Sequence, residues 1–194
     1  MVRHTTSRAR ILAAAEDVFY TGGIVATSVD TVVREAGVTK PTLYAHFPSK
    51  SALAAEALRA RHERRTAELD AWLAAYEPGE ERLLGVFAWL TAWYEEAGAR
   101  GCAFINAAAE TSPADALIAG SVQEEKAWLV GVLRELCAQA GLADPEQVAS
   151  QLLLLIDGVA ARVVVHGHEV ASAATADAAR AARTLVAAAA DRHA

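Results

Sequence analysis

Hydrophobic residues recur every three or four positions along most of this 194-residue chain, which is the spacing of amphipathic α-helices. In the first such segment, from about residue 6 to 21, Ile11, Ala15, Val18 and Phe19 share one face. The alternating pattern of a half-buried strand is nearly absent, and the one β-branched run, RVVVHG, ends a longer helical pattern. The pattern therefore predicts an all-α protein.

Helix start and stop signals divide the first part of the chain into four helices. The residues expected to cap the second, third and fourth helices are Thr27, Thr39 and Ser49. The four helices are expected to end at Gly22, Gly37, Phe47 and about residue 76. The second and third are short, and they are separated by only a few residues.

Five further helical segments follow, which makes about nine helices in all. They are expected at about residues 80–96, 102–110, 113–140, 145–166 and 174–190. Ser112-Pro113 and Asp144-Pro145 are cap-and-proline pairs typical of helix starts. The change from short to long helices predicts a boundary after residue 48, between a small domain, residues 1–48, and a larger helical domain, residues 49–194.

Composition narrows the class of protein. Hydrophobic residues make up 54 % and charged residues 22 %, which is typical of a folded domain rather than a disordered chain. No uninterrupted apolar run approaches the ~20 residues of a membrane span, and acidic residues interrupt the basic N-terminus, so no membrane segment or signal peptide is expected. We expect a cytoplasmic protein whose two cysteines, Cys102 and Cys137, are buried free thiols.

The charge is distributed unevenly between the two parts of the chain. Residues 1–65 contain 10 Lys+Arg and 6 Asp+Glu, a net charge of +4, whereas the remaining residues carry 8 and 18, a net charge of −10. Two of the three lysines, Lys40 and Lys50, flank one short aromatic segment. This distribution favours a polyanion as the partner of the basic N-terminal part, residues 1–65, which we call the head. An ordinary fluctuation of charge would give the same numbers.

The second and third predicted helices, joined by the sequence AGVT, are typical of a helix-turn-helix. Gly37 lies where the chain must turn, Thr39 caps the third helix, and Leu43 and Phe47 are spaced for the core. A lysine at a helix start, as at position 50, opposes the helix dipole unless an anion lies nearby. The leading side chains of the third helix and Lys50 are therefore expected to face a DNA backbone and the bases beside it.

The segment TSVDTVVREAGVTKPTLYAHFPSKSAL resembles the DNA-binding segment of the TetR family of bacterial transcriptional regulators. The likeness covers about residues 8–55 and implies a homodimer with an N-terminal three-helix domain and a larger ligand-binding and dimerising domain. The positions that the likeness assigns to DNA contact are Thr27, Ser28, Thr39, Lys40, Pro41, Thr42, Tyr44, His46 and Lys50. Position 41 is often glycine in this family but is proline here, and Ala45 is too short to reach a base. The resemblance therefore does not indicate which bases this protein recognises.

The same resemblance places an effector cavity in the second domain. The candidate ligand-binding residues are Trp89, Trp93, Phe104, Asn106, Glu110 and Trp128, which together offer apolar walls and two polar groups. Ordinary core tryptophans and helix-end polar groups are the alternative. The last two long helices are expected to pack against the same helices of a second subunit in a twofold dimer. The candidate interface residues are Leu152, Ile156, Val159, Val163 and Leu185.

Two polar features of the second half have competing interpretations. Asp157 lies within an apolar helix and needs a partner, for which Arg162 and His166 on the same helix are the candidates, or else it contacts a ligand. The segment HGHE has two histidines but no third ligand nearby, so a metal site is disfavoured. No P-loop, glycine fingerprint or nucleophile elbow occurs, and neither a cofactor nor an enzymatic activity is expected.

These observations predict a DNA-binding regulator, most simply a repressor that binds a near-palindromic operator and is released by a small, largely apolar effector. Two rivals remain. One is a helical enzyme that acts on an apolar small molecule in the same pocket. The other is a DNA-binding activator or architectural protein without an effector. If the bases are not read by the third helix, Arg3 or Arg8 in a neighbouring minor groove is the alternative reader.

Overall fold

A computed structural model describes residues 6–96 and 98–190. Within this part of the chain there are nine α-helices, one 3-10 turn and no strand, so the all-α prediction is confirmed. The helices are α1 Ser7–Gly22, α2 Val29–Ala36, α3 Lys40–His46, α4 Lys50–Leu73, α5 Glu80–Glu96, α6 Ala103–Glu110, α7 Ala116–Gln139, α8 Pro145–His166 and α9 Ala171–Ala190. The 3-10 turn, His168–Val170, directly precedes α9.

Three predicted caps are confirmed by their hydrogen bonds. The Thr39 side chain accepts from the backbone N–H of Thr42 at 3.3 Å, and the Asp144 carboxylate accepts from that of Gln147 at 3.2 Å. Ser49 accepts from the third backbone N–H that follows it, at 3.0 Å. Each of these bonds satisfies a donor that has no partner within its own helix.

Two predicted helix starts are wrong. Ser28, not Thr27, caps α2, because the Thr27 side chain is buried and its hydroxyl donates to the Val18 carbonyl at 3.1 Å. The seventh helix begins at Ala116, and its start is capped by Asp115 rather than by Ser112. Residues 113–114 form a turn before it, in which Ser112 accepts from a backbone N–H at 3.2 Å.

The chain divides into two compact units. The first contains the residues up to Arg64 together with Ala103–Glu125, and the second contains Arg65–Cys102 together with the residues from Lys126 onward. Two of the three division points fall within long helices, α4 and α7, and the third lies at the start of α6. The predicted functional boundary after residue 48 stays a prediction, but α6 and the first part of α7 belong to the same unit as the helix-turn-helix.

The core of the first unit holds α1, α2 and α3 together. Leu43 and Phe47, both predicted as core, are 0 % and 1 % exposed. Ile11 and Ala15 of α1 and Val32 of α2 are buried as well, and the three helices contact one another. A helix of seven residues is marginal in isolation, so α3 depends on this burial for its stability. Its buried side is therefore fixed, and its opposite side is left for a partner.

In the second unit, α5 and α8 both pack against α9. The α8 residues predicted for a dimer interface, Leu152, Ile156, Val159 and Val163, are instead buried within this chain, with 0–3 % of their surface exposed. This placement corrects the prediction, because a side chain without exposed surface cannot bury any against a partner. Leu185, on α9, is half-buried.

Asp157 is paired with Lys126 of α7, and neither of the two predicted partners is correct. Arg162 is paired with Asp177 of α9 at 2.8 Å. The carboxylate of Asp157 is about one-third exposed, so it is less isolated from water than the apolar sequence around it suggested.

Among the described residues, α8 is the one helix long and apolar enough to cross a membrane by length and composition. Core helices of water-soluble proteins meet the same criterion. One face of α8 packs into the core of the second unit, as described above.

Candidate nucleic-acid interface

The turn between α2 and α3 has the geometry that a helix-turn-helix needs. Gly37 adopts φ 59° and ψ 43°, the left-handed region that glycine enters at no steric cost. Its N–H donates to the Arg34 carbonyl at 3.2 Å, and the N–H of Val38 donates to that of Val33 at 3.2 Å. This pair of bonds is a Schellman motif, which ends α2 sharply and directs the chain into α3.

Most of the predicted DNA-contacting side chains of α3 are exposed, whereas its core anchors are buried. Tyr44 is 43 % exposed, although its ring could have been core, and His46 is exposed as well. At the start of the helix Lys40 and Pro41 are exposed, and Thr42 is half-buried with its hydroxyl 2.8 Å from that of Thr39. The leading turn of α3 therefore forms an open polar surface.

Lys40 is held across the turn by Asp30 of α2. Its Nζ lies 2.9 Å from the Asp30 carboxylate, and both side chains are at least half exposed. Hydrogen bonding to Asp30 and the charge of that carboxylate raise the pKa of Lys40 above its ordinary value, so the side chain stays cationic at neutral pH. An exposed pair of this kind is weak, and a phosphate or base can replace Asp30 as the partner.

Lys50 is oriented by the loop between α1 and α2. Its Nζ donates to the backbone carbonyl of Val25 at 3.1 Å. An ammonium group has three donors, so two remain for a phosphate while the third is held by the protein. Ser28, which caps α2 three residues after Val25, is exposed. The hydroxyl of Thr27 is instead bonded to the Val18 carbonyl inside the protein.

Arg8 has a structural role that the sequence did not indicate. Its guanidinium pairs with Glu56 of α4 at 2.8 Å and lies over the Phe47 ring, 5.2 Å from the centroid. These contacts join α1, α4 and the end of α3. The alternative DNA reader Arg3 lies outside the described residues.

The six predicted ligand-binding residues are divided between the two units. In the first unit, Asn106 and Glu110 of α6 line a narrow crevice with side chains of α1 and α4, and its volume is about 30 Å³. Phe104, two residues before Asn106 on the same helix, is buried. A volume of this size has room for about one or two water molecules.

The tryptophans belong to the second unit. Trp89 and Trp93 are buried side by side, with ring centroids 5.6 Å apart. The Arg65 guanidinium lies 5.3 Å from one ring and 5.8 Å from the other, in the range of cation–π attraction. Trp128, on α7, is half-buried.

Sequence reasoning missed the contacts of the loop between α1 and α2. Val25 of this loop is 62 % exposed, which is unusual for a large aliphatic side chain, and its backbone bonds both Lys50 and Glu110. The glycine pair Gly22-Gly23 marks the start of this loop in the sequence, but nothing in the sequence identifies the partners of Val25.

Comparison with known proteins places these features in a family. Residues 11–57 match the family model described as "Bacterial regulatory proteins, tetR family". Two Pseudomonas putida proteins, the HTH-type transcriptional regulator TtgR and the probable HTH-type transcriptional regulator ArpR, are each 38 % identical over 68 residues. The match covers 32 % of this chain and 32 % of each relative, so it spans about a third of their length.

Solved structures extend the likeness to the whole fold. SCO4454, a TetR-family transcriptional regulator from Streptomyces coelicolor, is 27 % identical with a TM-score of 0.84, over 95 % of this chain and 96 % of that chain. A putative TetR-type regulator from Streptomyces avermitilis, sav143, is 28 % identical with a TM-score of 0.79, over 95 % and 98 %. A putative regulator from Saccharomonospora viridis, solved in complex with choline, is 20 % identical with a TM-score of 0.72, over 88 % and 93 %, and shows the fold alone.

Proposed function

This chain belongs to the TetR family of bacterial transcriptional regulators, and on that premise we propose that it is a cytoplasmic repressor. In this proposal a homodimer binds a near-palindromic operator and leaves it when a small, largely apolar effector binds. The observation that carries the DNA-binding part is the geometry of α3. The helix is anchored by Leu43 and Phe47, begins after a left-handed turn at Gly37, and keeps Lys40 and Tyr44 exposed.

The proposed DNA contacts divide into two groups. Lys50, Tyr44, His46, Ser28 and the backbone near Thr27 are assigned to phosphates, which fix the position of the head without reading sequence. The leading turn of α3, Thr39–Thr42, is assigned to the edges of bases in the major groove. In this arrangement Asp30 is exchanged for DNA as the partner of Lys40.

The experiment that tests this function is a binding selection from random duplexes with the wild-type protein and the Lys40→Gln variant. The wild type should select two inverted half-sites about one helical turn apart, as expected for a twofold dimer. Lys40→Gln should change the preferred base in each half-site rather than lower affinity uniformly, because an amide and an ammonium pair with different base edges. Identical consensus sites would show that Lys40 does not read a base, and no selected site at all would remove the DNA-binding proposal.

The proposed dimer uses the face of α8 that the protomer leaves open. Leu154 and Val165 are 69 % and 71 % exposed, and Gly158 and Ala161 between them are also exposed. These four residues have the spacing of one helical stripe, which we call the α8 stripe. A Cβ added at Gly158 would meet no atom within 4 Å, so the protomer leaves room there for a close helix from a second copy.

The effector site is proposed in the first unit, at the crevice lined by Asn106 and Glu110 of α6, the helix that also holds the buried Phe104. The other three residues named from the sequence, Trp89, Trp93 and Trp128, lie in the second unit and stay a separate prediction. Apolar side chains around the crevice and the half-buried amide of Asn106 suit an apolar molecule with one polar group. An effector that contacts Asn106 has to widen the crevice of about 30 Å³ beside it.

Asn106→Lys should abolish effector-induced release from the operator while the dimer persists. A cation introduced at a half-buried position beside an apolar crevice opposes an apolar ligand, because the charge resists desolvation. Release is measured by fluorescence anisotropy of a labelled operator across a panel of small organic molecules, with dimer mass measured in parallel. Gln139→Lys, at an exposed position of α7, adds the same charge as a control. Release by the Asn106→Lys variant equal to that of the control would place the effector elsewhere.

A further inference from the structure

Glu110, the last residue of α6, bonds the loop that precedes the helix-turn-helix. The backbone N–H of Val25 donates to Glu110 Oε2 at 3.3 Å, across 85 positions of the sequence. The contact lies within the first compact unit, which contains both residues. A residue that was expected to contact an effector is thus directed toward the DNA-binding head.

Gly23 makes room for this carboxylate. It adopts φ +85°, and a Cβ at this position would lie 2.8 Å from Glu110 Oε2 and 3.0 Å from Oε1. The backbone conformation therefore requires glycine, and a Cβ here would displace the Glu110 carboxylate from its position beside the loop. Gly23 thus lets the loop approach the end of α6.

The same loop residue also holds Lys50. The Val25 carbonyl accepts from Lys50 Nζ at 3.1 Å, while the Val25 N–H donates to Glu110. Because the Val25 side chain is 62 % exposed, burial of that side chain contributes little to fixing this residue. The Glu110 carboxylate is therefore one of the contacts that fix the Val25 carbonyl, together with the buried side chain of the adjacent Ile24.

We infer that Glu110 is a positioning residue for DNA binding: it fixes Val25, and Val25 orients the Lys50 ammonium toward a phosphate. The inference rests on the proposed function, in which Lys50 contacts DNA. It also predicts a change in DNA affinity that is opposite in direction to the change expected from charge alone. Removing an acidic residue near DNA should raise affinity by charge alone, whereas removing a hydrogen bond that positions Lys50 should lower it.

The test is a double-mutant cycle on the full-length dimer with the operator obtained from the selection. Glu110→Ala should weaken operator binding about five- to tenfold, the range for removal of a hydrogen bond of modest strength. Glu110→Gln should recover most of the affinity, because its amide oxygen still accepts from Val25. In the Lys50→Ala background, Glu110→Ala should change affinity less than about twofold, since its effect passes through Lys50.

Two further measurements separate positioning from charge and from stability. Glu124→Ala removes the same charge from an exposed position of α7 in the same unit, and it should leave affinity unchanged or slightly raised. Amide hydrogen exchange of Val25 without DNA should be faster in Glu110→Ala and close to wild type in Glu110→Gln.

The outcomes distinguish this inference from the proposed function. If Lys50→Ala weakens operator binding but Glu110→Ala binds as tightly as wild type, or its effect is simply additive with Lys50→Ala, the positioning role is wrong and the proposed DNA contact stands. If Lys50→Ala has no effect on affinity, both the contact and the role of Glu110 are overturned. Unchanged Val25 exchange in Glu110→Ala would contradict the positioning role without any reference to DNA.

Discussion

Gly158→Arg should convert the protein to a folded monomer that no longer binds its operator at concentrations that saturate the wild type. The substitution meets nothing within the protomer, because a Cβ at Gly158 has no neighbour within 4 Å. It also replaces a poor helix former with a good one, which favours α8 by about 1 kcal/mol. On the proposed dimer, however, it places a long cation in the middle of the α8 stripe, between Leu154 and Val165.

The loss of DNA binding follows from the loss of the second head. A monomer contacts one half-site, so the contribution of the second half-site to affinity disappears, and a decrease of at least about a hundredfold in apparent operator affinity is expected. Mass should be measured by light scattering, helix content by circular dichroism, and operator binding by anisotropy. Gly120→Arg is the matched control, since Gly120 is exposed on α7 and a Cβ there also meets nothing within 4 Å. A dimeric Gly158→Arg variant would show that the α8 stripe is not the interface.

Lys50→Ala should weaken binding to every DNA sequence by a similar factor, about tenfold for each head and up to about a hundredfold for the dimer. The side chain is half-buried, and Val25 holds its ammonium in place, so little conformational freedom is lost when a phosphate binds it. The slope of log K against log salt concentration should decrease in magnitude by about 0.9 for each phosphate that is no longer neutralised, or by about two for the dimer.

Controls for this measurement come from the same helix. Arg59→Ala removes an equal charge from an exposed position of α4, where the guanidinium is paired with Glu56, and it should leave the salt slope close to that of wild type. Lys50→Arg keeps the charge and should preserve most of the slope. A slope for Lys50→Ala equal to the wild-type value would remove Lys50 from the contacts to DNA.

Local sequence signals predicted the head well because its determinants are close together in the chain. Gly37, Thr39 and the spacing of Leu43 and Phe47 each act over a few residues, and the structure confirms the cap and both core positions. The wrong prediction that Thr27 caps α2 also comes from relying on local signals. Thr27 and Ser28 are adjacent and chemically equivalent as caps, and only the position of the Val18 carbonyl decides that the first is buried.

Features that depend on distant partners could not be predicted from the sequence. Asp157 is paired with Lys126, 31 positions away, and Glu110 bonds Val25, 85 positions away. Helix α8 shows a second limit. It has two apolar stripes with helical spacing, one that includes Leu152 and Ile156 and one that includes Leu154 and Val165, and periodicity alone does not tell which enters the protomer core.

The first compact unit is built from two separate segments of the chain, and this has a consequence for synthesis on the ribosome. A nascent chain that has emerged as far as Arg64 contains α1, α2 and α3 but lacks Ala103–Glu125, the remainder of their unit. It lacks Glu110 beside Val25, Ser121 against the Ala55 carbonyl, and the buried Glu125 beside His62. The first compact unit therefore has its full set of contacts only once Glu125 has emerged from the ribosome. We expect the nascent helix-turn-helix to gain stability at that stage, when about two-thirds of the polypeptide exists.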